Sequence, residues 1–133
     1  MIAIQPKPND QMISDAVASY PAICRGFFYG VTNHEGNSTV THVTGAGVNP
    51  ITRADLLGAE QIAAENQVSL LGMYVSHPDK SPVPQPEEAS VAKPGFHYII
   101  ISVSAEVSII TSCWKLNGLM QFERVEILNF QII

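Results

Sequence analysis

The sequence predicts an α/β fold, a mixed sheet of about six strands with helices packed against it. Three observations predict it. Apolar, β-branched stretches of strand length alternate with segments whose apolar residues recur at helical spacing. A helix-bearing connection leads into the strand-like Val68–Val75, the pattern of a crossover unit covering one face of a sheet. Phe96–Ser104 and Val107–Leu116 are two strongly β segments split only by the polar Ala105-Glu106, as a hairpin requires.

Each element has its own local reason. Met1–Lys7 reads as an extended arm, and Asn9 or Asp10 is placed to cap a short helix in which Met12, Ile13, Ala16 and Val17 repeat at helical spacing. Pro21 ends that helix. Ala22–Thr32 is apolar, aromatic and β-branched and reads as a central strand, the loop Asn33–Asn37 as a hairpin turn, and Ser38–Thr44 as the returning strand. After the connector Gly45–Pro50, Thr52 with Asp55 three residues later gives a variant capping box for a helix running to about Asn66. Its stripe is Leu56, Leu57, Ala59, Ile62 and Ala63, with Glu60 and Glu65 turned to water. Prolines at 82, 84 and 86 make Lys80–Pro86 an extended, stiff loop, and a short helix is expected at Glu87–Ala92, stopped by Lys93-Pro94-Gly95. Asn117-Gly118 is a two-residue turn signal leading to a last, half-exposed strand at about Met120–Leu128.

Composition bounds the function. With 133 residues, 46% hydrophobic and 14% charged, the chain reads as one domain over residues 1–133 with enough apolar surface for a core. Seven Lys and Arg against twelve Asp and Glu give a net charge of -5, and the basic residues are scattered singly, so no nucleic-acid footprint is expected. No apolar run reaches the roughly 20 residues needed to cross a bilayer, so no membrane role is expected. The start, MIAIQPKPND, meets prolines and an acid before a signal-type core forms, and a cytoplasmic location is expected. Cys24 and Cys113, without any CxxC, are expected to be buried, reduced thiols.

The stretch Gly72–Glu88, GMYVSHPDKSPVPQPEE, is where a site is expected. It runs from a strand end through a Ser76-His77-Pro78-Asp79 turn and the proline-rich loop into an acidic helix start. Gly72-Met73-Tyr74-Val75-Ser76-His77-Pro78-Asp79, then Pro84, Pro94-Gly95, Tyr98 and Ile101-Ser102-Val103, resembles the JAMM/MPN (Mov34/JAB) metalloprotease domain, in particular its short prokaryotic members that cut sulfur-carrier and ubiquitin-like proteins. Tyr20-Pro21, Gly26 and Cys113-Trp114-Lys115-Leu116-Asn117-Gly118 add to the likeness, which spans about residues 12–128. The resemblance implies a mostly antiparallel, cytidine deaminase-like sheet.

It also implies a zinc motif, and here that motif is degenerate. In the family a glutamate precedes the first-strand glycine by three residues, followed later by His-x-His-Pro and then by a serine and an aspartate. The histidines and aspartate hold zinc, the glutamate takes a proton from the zinc-bound water, and the serine steadies the oxyanion. The corresponding positions in this chain are Ile23, Val75, Gln85 and Glu88, with His77 alone unchanged. No catalytic residue and no cofactor are therefore expected, and Ile23 with Val75 is expected to make a dry pocket floor. The groove is assigned to Ile23, Val75, Ser76, His77, Asp79, Gln85 and Glu88. An extended tail of a ubiquitin-like or sulfur-carrier protein would lie along the strand edge through backbone hydrogen bonds; another JAMM-type subunit is the alternative partner, and a homodimer stays open.

A second class of function competes with this one, a hydrolase with a rebuilt zinc site using His77 and Glu88, with Asp79 or Glu87 adding an oxygen or His34, His42 or His97 approaching from elsewhere. Taken singly, His34 and His42 read as ordinary solvated or satisfied side chains, and a thiol site of Cys24, His97 and Cys113 gives way to the reading of both cysteines as ordinary buried core residues. Ser76, His77 and Asp79 have the residue types of a nucleophile triad, yet neighbours at one strand end do not reach its geometry. Trp114 and Tyr98 read as core and rim aromatics.

Overall fold

The computed structural model describes residues 1–85, 95–106 and 108–129. In chain order the elements are β1 (Ile2–Ile4), α1 (Pro6–Ser19), β2 (Arg25–Thr32), β3 (Ser38–Gly47), α2 (Arg53–Glu65), β4 (Ser69–Pro78), β5 (His97–Val103), β6 (Ile109–Leu116), β7 (Phe122–Val125) and β8 (Ile127–Asn129). All described strands join one sheet in the order β7-β6-β5-β4-β2-β3-β1-β8. The pairs β4–β5, β1–β3 and β1–β8 are parallel and the other four antiparallel. The expected mixed, mostly antiparallel α/β architecture is thus present, with eight strands among the described residues rather than about six.

The two extra strands come from both ends of the chain. Ile2–Ile4 is more than an arm: it pairs with Ser38–Val40 on one side and Ile127–Asn129 on the other. The single last strand expected over Met120–Leu128 is instead broken at Glu126, so that Phe122–Val125 pairs with β6 while Ile127–Asn129 pairs with β1. One residue therefore joins the two opposite edges of the sheet, and the Ile2 amide donates to the Glu126 carbonyl at 2.9 Å. A sheet so connected must curl round on itself, which leaves fewer open edges for a second chain.

Helix α1 packs on one face of this curled sheet, where Met12 and Ala16 join Ile2, Ile4, Phe28, Val40, Leu71, Tyr74, Ile99 and Ile101 in the larger core cluster. Helix α2 covers the other face, with Ala59 and Ala63 against Phe27, Tyr29, Leu70 and Met73. The alternation Phe27/Phe28 thus feeds both cores from one central strand. β3, α2 and β4 form the expected crossover: both strands flank β2 and run antiparallel to it. Leu57, placed by its spacing on the buried stripe of α2, is 54% exposed, so the stripe is narrower than expected.

Local signals explain most boundaries. Thr52 Oγ1 accepts from the Asp55 amide at 3.1 Å and Asp55 Oδ2 accepts from the Thr52 amide at 2.9 Å, closing the capping box. Those bonds hold the Asp55 carboxyl below its ordinary value. α1 departs from expectation: it starts at Pro6 with Gln5 as N-cap, no side chain caps it, and Asn9 and Asp10 lie inside it. Prolines in the first turn supply the reason, since the amides they lack have no helical partner there. Pro21 follows the helix end as expected. β2 begins at Arg25 rather than Ala22, and β4 runs to Pro78, so Ser76-His77-Pro78 is strand and the chain turns only at Asp79, where φ is 57°. The expected helix at Glu87–Ala92 lies outside the described residues. The link after Asn117 is longer than two residues, closed by the Asn117 amide on the Gln121 carbonyl at 2.9 Å. Gly72 sits where a Cβ would overlap the His97 backbone of the neighbouring parallel strand, and only glycine allows that approach.

His97 starts β5 buried, with Nδ1 lacking a hydrogen-bond partner among the described residues. Burial pushes its pKa down, as do Lys115 and the chain's amino terminus, against an opposing pull from the Leu71 backbone. A histidine depressed in the fold takes up its proton first in the unfolded chain. Above about pH 6.5 both states are neutral and no penalty exists; as pH falls below it, stability is lost until the folded pKa is passed. Thermal melts from pH 7.5 to 5 should show a falling Tm for the parent and a shallower fall for His97→Gln; parallel curves would show that His97 does not carry the effect.

Candidate functional site

The side chains of β4 divide between the two faces. Tyr74 points to α1, its hydroxyl donating to Asp15 Oδ2 at 2.7 Å, and its ring lies where a Cβ on Gly26 would be. Burial and the Asp15 carboxylate push the Tyr74 hydroxyl pKa well up. Ser76, 1% exposed, accepts the Cys24 amide on Oγ at 2.8 Å. Met73, Val75 and His77 take the alternate positions, and all three line a cavity of about 460 Å³.

Ile23 and Tyr98 line the same cavity, and Pro21, Pro50, Ile51 and Pro78 contribute to its walls. Its polar members are Arg25, His77, Lys80 and Gln85. Four of the seven expected groove residues, Ile23, Val75, His77 and Gln85, are therefore brought together. Three are not. Ser76 faces the other side of the sheet and braces the approach to β2. Asp79 accepts the Tyr20 hydroxyl on both oxygens, at 2.9 and 2.7 Å, tying the end of α1 to the turn after β4 and raising the Tyr20 pKa. Glu88 lies outside the described residues. The floor is also wetter than expected, because Ile23 precedes the strand and is 38% exposed.

The proline-rich loop is held by side-chain donors from the sheet. His77 Nδ1 donates to the Ser81 carbonyl at 2.9 Å, Ser102 Oγ to the Lys80 carbonyl at 2.5 Å, and Ser112 Oγ to the Pro82 carbonyl at 2.5 Å. Trp114 Nε1 reaches the same Pro82 carbonyl at 3.3 Å and Ser112 Oγ at 2.8 Å. Prolines remove amide donors but keep carbonyls, so the loop is fastened through its acceptors. A carbonyl only accepts, so His77 carries its proton on Nδ1, and in the neutral ring the lone pair sits on Nε2. Sequence reasoning missed Ser102, Ser112 and the loop-binding role of Trp114. The signal was there in the hairpin register, which pairs Ile100 with Ser112 and Tyr98 with Trp114 on one face.

His77 is the one described ligating residue on the cavity wall, and no group of three His, Cys, Asp or Glu among the described residues is placed to hold an ion. None of the other histidines comes to its aid. His34 sits in the exposed β2–β3 loop 3.9 Å from Glu35, and His42 is exposed on β3, bonded to Thr41 Oγ1 at 2.7 Å. His97 pairs with Gly72, five residues up β4 from His77. Nor do the cysteines form a reactive centre: both are buried and unbridged, burial raises the Cys24 thiol, and it pushes Cys113 up to about 12. Among the described residues no helix is long and apolar enough to cross a membrane.

β4 also lacks the open edge expected for an extended tail. Val75 pairs with Arg25 on one side and Ile100 on the other, and the Ser76 amide donates to the Cys24 carbonyl at 3.0 Å. A chain in the cavity therefore finds no unpaired strand edge at Val75.

No family profile matches the chain, and no curated protein matches its sequence. Solved structures do match. A solution structure of a protein from Desulfitobacterium hafniense superposes with a TM-score of 0.80 at 20% identity, covering 100% of this chain and 95% of that one. One from Salinibacter ruber gives 0.76 at 26% identity over 96% and 90% of the two chains. A crystal structure of a JAB1/MPN domain protein from Archaeoglobus fulgidus gives 0.61 at 16% identity over 97% and 99%. The fold is MPN-like.

Proposed function

We propose that this is a non-catalytic MPN-fold binding domain whose cavity takes the flexible carboxy-terminal tail of a partner, of the ubiquitin-like or sulfur-carrier kind. The observation that carries the reading is the cavity of about 460 Å³ where Ile23, Val75 and Gln85 meet His77. In the resemblance these positions belong to the base, a ligand and the oxyanion donor, and the side chains present do none of that work: isoleucine and valine neither accept a proton nor bind zinc, and a lone histidine makes a weak site. What stands there is an open, largely apolar cleft of a size that suits a few residues of chain.

The purified protein should carry no stoichiometric zinc, and it should bind carrier proteins or glycine-ending peptides with an affinity near micromolar, on the order of -8 kcal/mol. Metal analysis after purification without added metal, followed by calorimetry against such partners, tests both. About one zinc per chain, removable by chelator together with a hydrolytic activity, would sink the reading.

A further inference from the structure

We propose that the cavity reads the free carboxylate at the end of the bound tail, through Arg25 and Lys80; this rests on the tail-binding reading above. The chain is acidic overall, with seven Lys and Arg against twelve Asp and Glu, yet two of those seven cations line this one cavity and no described carboxylate does. Asp79, next in sequence to Lys80, has both oxygens on the Tyr20 hydroxyl. Arg25 is half-buried at the start of β2, with Nη1 on the Val48 carbonyl at 2.9 Å. That bond orients the guanidinium without neutralising it, and among the described residues neither Arg25 nor Lys80 has an anionic partner.

The rest of the wall decides which anion fits. Pro21, Pro50 and Pro78 supply no amides to the wall, so three of its described backbone positions have no N–H to give an anion. Met73, Val75 and Tyr98 favour an apolar or glycine-rich chain leading up to a single charge. Because β4 is paired on both sides, the tail gains no sheet hydrogen bonds at Val75, and its end is the part with a specific partner. A carboxylate meeting the half-buried Arg25 guanidinium and the exposed Lys80 ammonium forms charge-assisted hydrogen bonds that a neutral amide does not.

The test uses a fluorescein-labelled heptapeptide ending Ala-Leu-Gly-Gly, as free acid and as carboxamide, in anisotropy titrations at fixed ionic strength. The acid should bind the parent about tenfold or more tightly than the amide, and the preference should fall to near unity in the Arg25→Gln/Lys80→Gln double variant. Equal binding of acid and amide by the parent overturns carboxylate recognition and leaves tail binding standing. A preference that persists in the folded double variant overturns the assignment to Arg25 and Lys80. If neither peptide binds, the tail-binding reading falls and takes this one with it. The comparison of the two peptides on the parent needs no variant, so a folding defect in the double variant does not remove the test.

Discussion

Val75→Trp will fold as the parent does and bind a glycine-ending tail peptide at least about 100-fold more weakly, a loss of roughly 3 kcal/mol from a micromolar starting point. The two halves of that expectation have separate causes. Folding survives because Val75 points away from the α1 core into the open cavity, and because an aromatic residue suits a strand position whose backbone pairs on both sides with Arg25 and Ile100. Binding fails because an indole at 75 fills part of the cavity that Val75 lines together with Ile23 and Tyr98. Trp is neutral, so the loss cannot come from a changed attraction for the tail's carboxylate. Glu123→Gln, on the far edge strand β7, should leave affinity unchanged. Binding by Val75→Trp equal to the parent's would move the working surface to another face of the domain.

Most of the fold was legible because its elements carry local signals that tertiary structure did not override. The Thr52/Asp55 box and the helix end before Pro21 rest on residues a few positions apart, and the β5–β6 hairpin joins strands consecutive in the chain. What could not be read was pairing at a distance. Ile2–Ile4 is too short to signal a strand alone and becomes one only because β3 and β8 flank it. The break at Glu126 follows from the need to bridge two sheet edges, which no window of sequence displays. The site divides along the same line. Val75 and His77 share a face by strand periodicity, and the same rule puts Ser76 on the other once Ser76-His77-Pro78 is strand rather than turn. Arg25, Lys80 and Met73 entered the cavity through sheet register and loop placement, which spacing alone does not fix. A family resemblance supplied the correspondence of Ile23 with Val75, residues 52 positions apart by their numbering, and the structure places both on one cavity.

The second large effect is a gain. Ile23→Glu, Val75→His, Gln85→Ser and Glu88→Asp together should give a chain that binds about one equivalent of zinc with a submicromolar Kd, on the order of -8 kcal/mol or better, where the parent is expected to bind none. Val75→His alone should bind weakly at most. The geometry favours the combined change at three of the four positions, since Ile23, Val75 and Gln85 already line the cavity with His77. A histidine at 75 would project to the same face as His77. The tautomer needed is in place: with its Nδ1 proton on the Ser81 carbonyl, His77 carries the lone pair on Nε2, the arrangement in which an outer hydrogen bond orients a metal-binding imidazole. The cost in stability should be small at position 23, because Ile23 is already 38% exposed and a carboxylate there can meet water. Glu88→Asp acts outside the described residues, so the triple variant without it isolates the contribution of the three cavity positions. Calorimetry with zinc, backed by the cobalt-substituted absorption spectrum, measures the result. A quadruple variant that melts like the parent and binds no zinc would break the correspondence between this cavity and the zinc motif, leaving the MPN-like fold without a metal centre at this place.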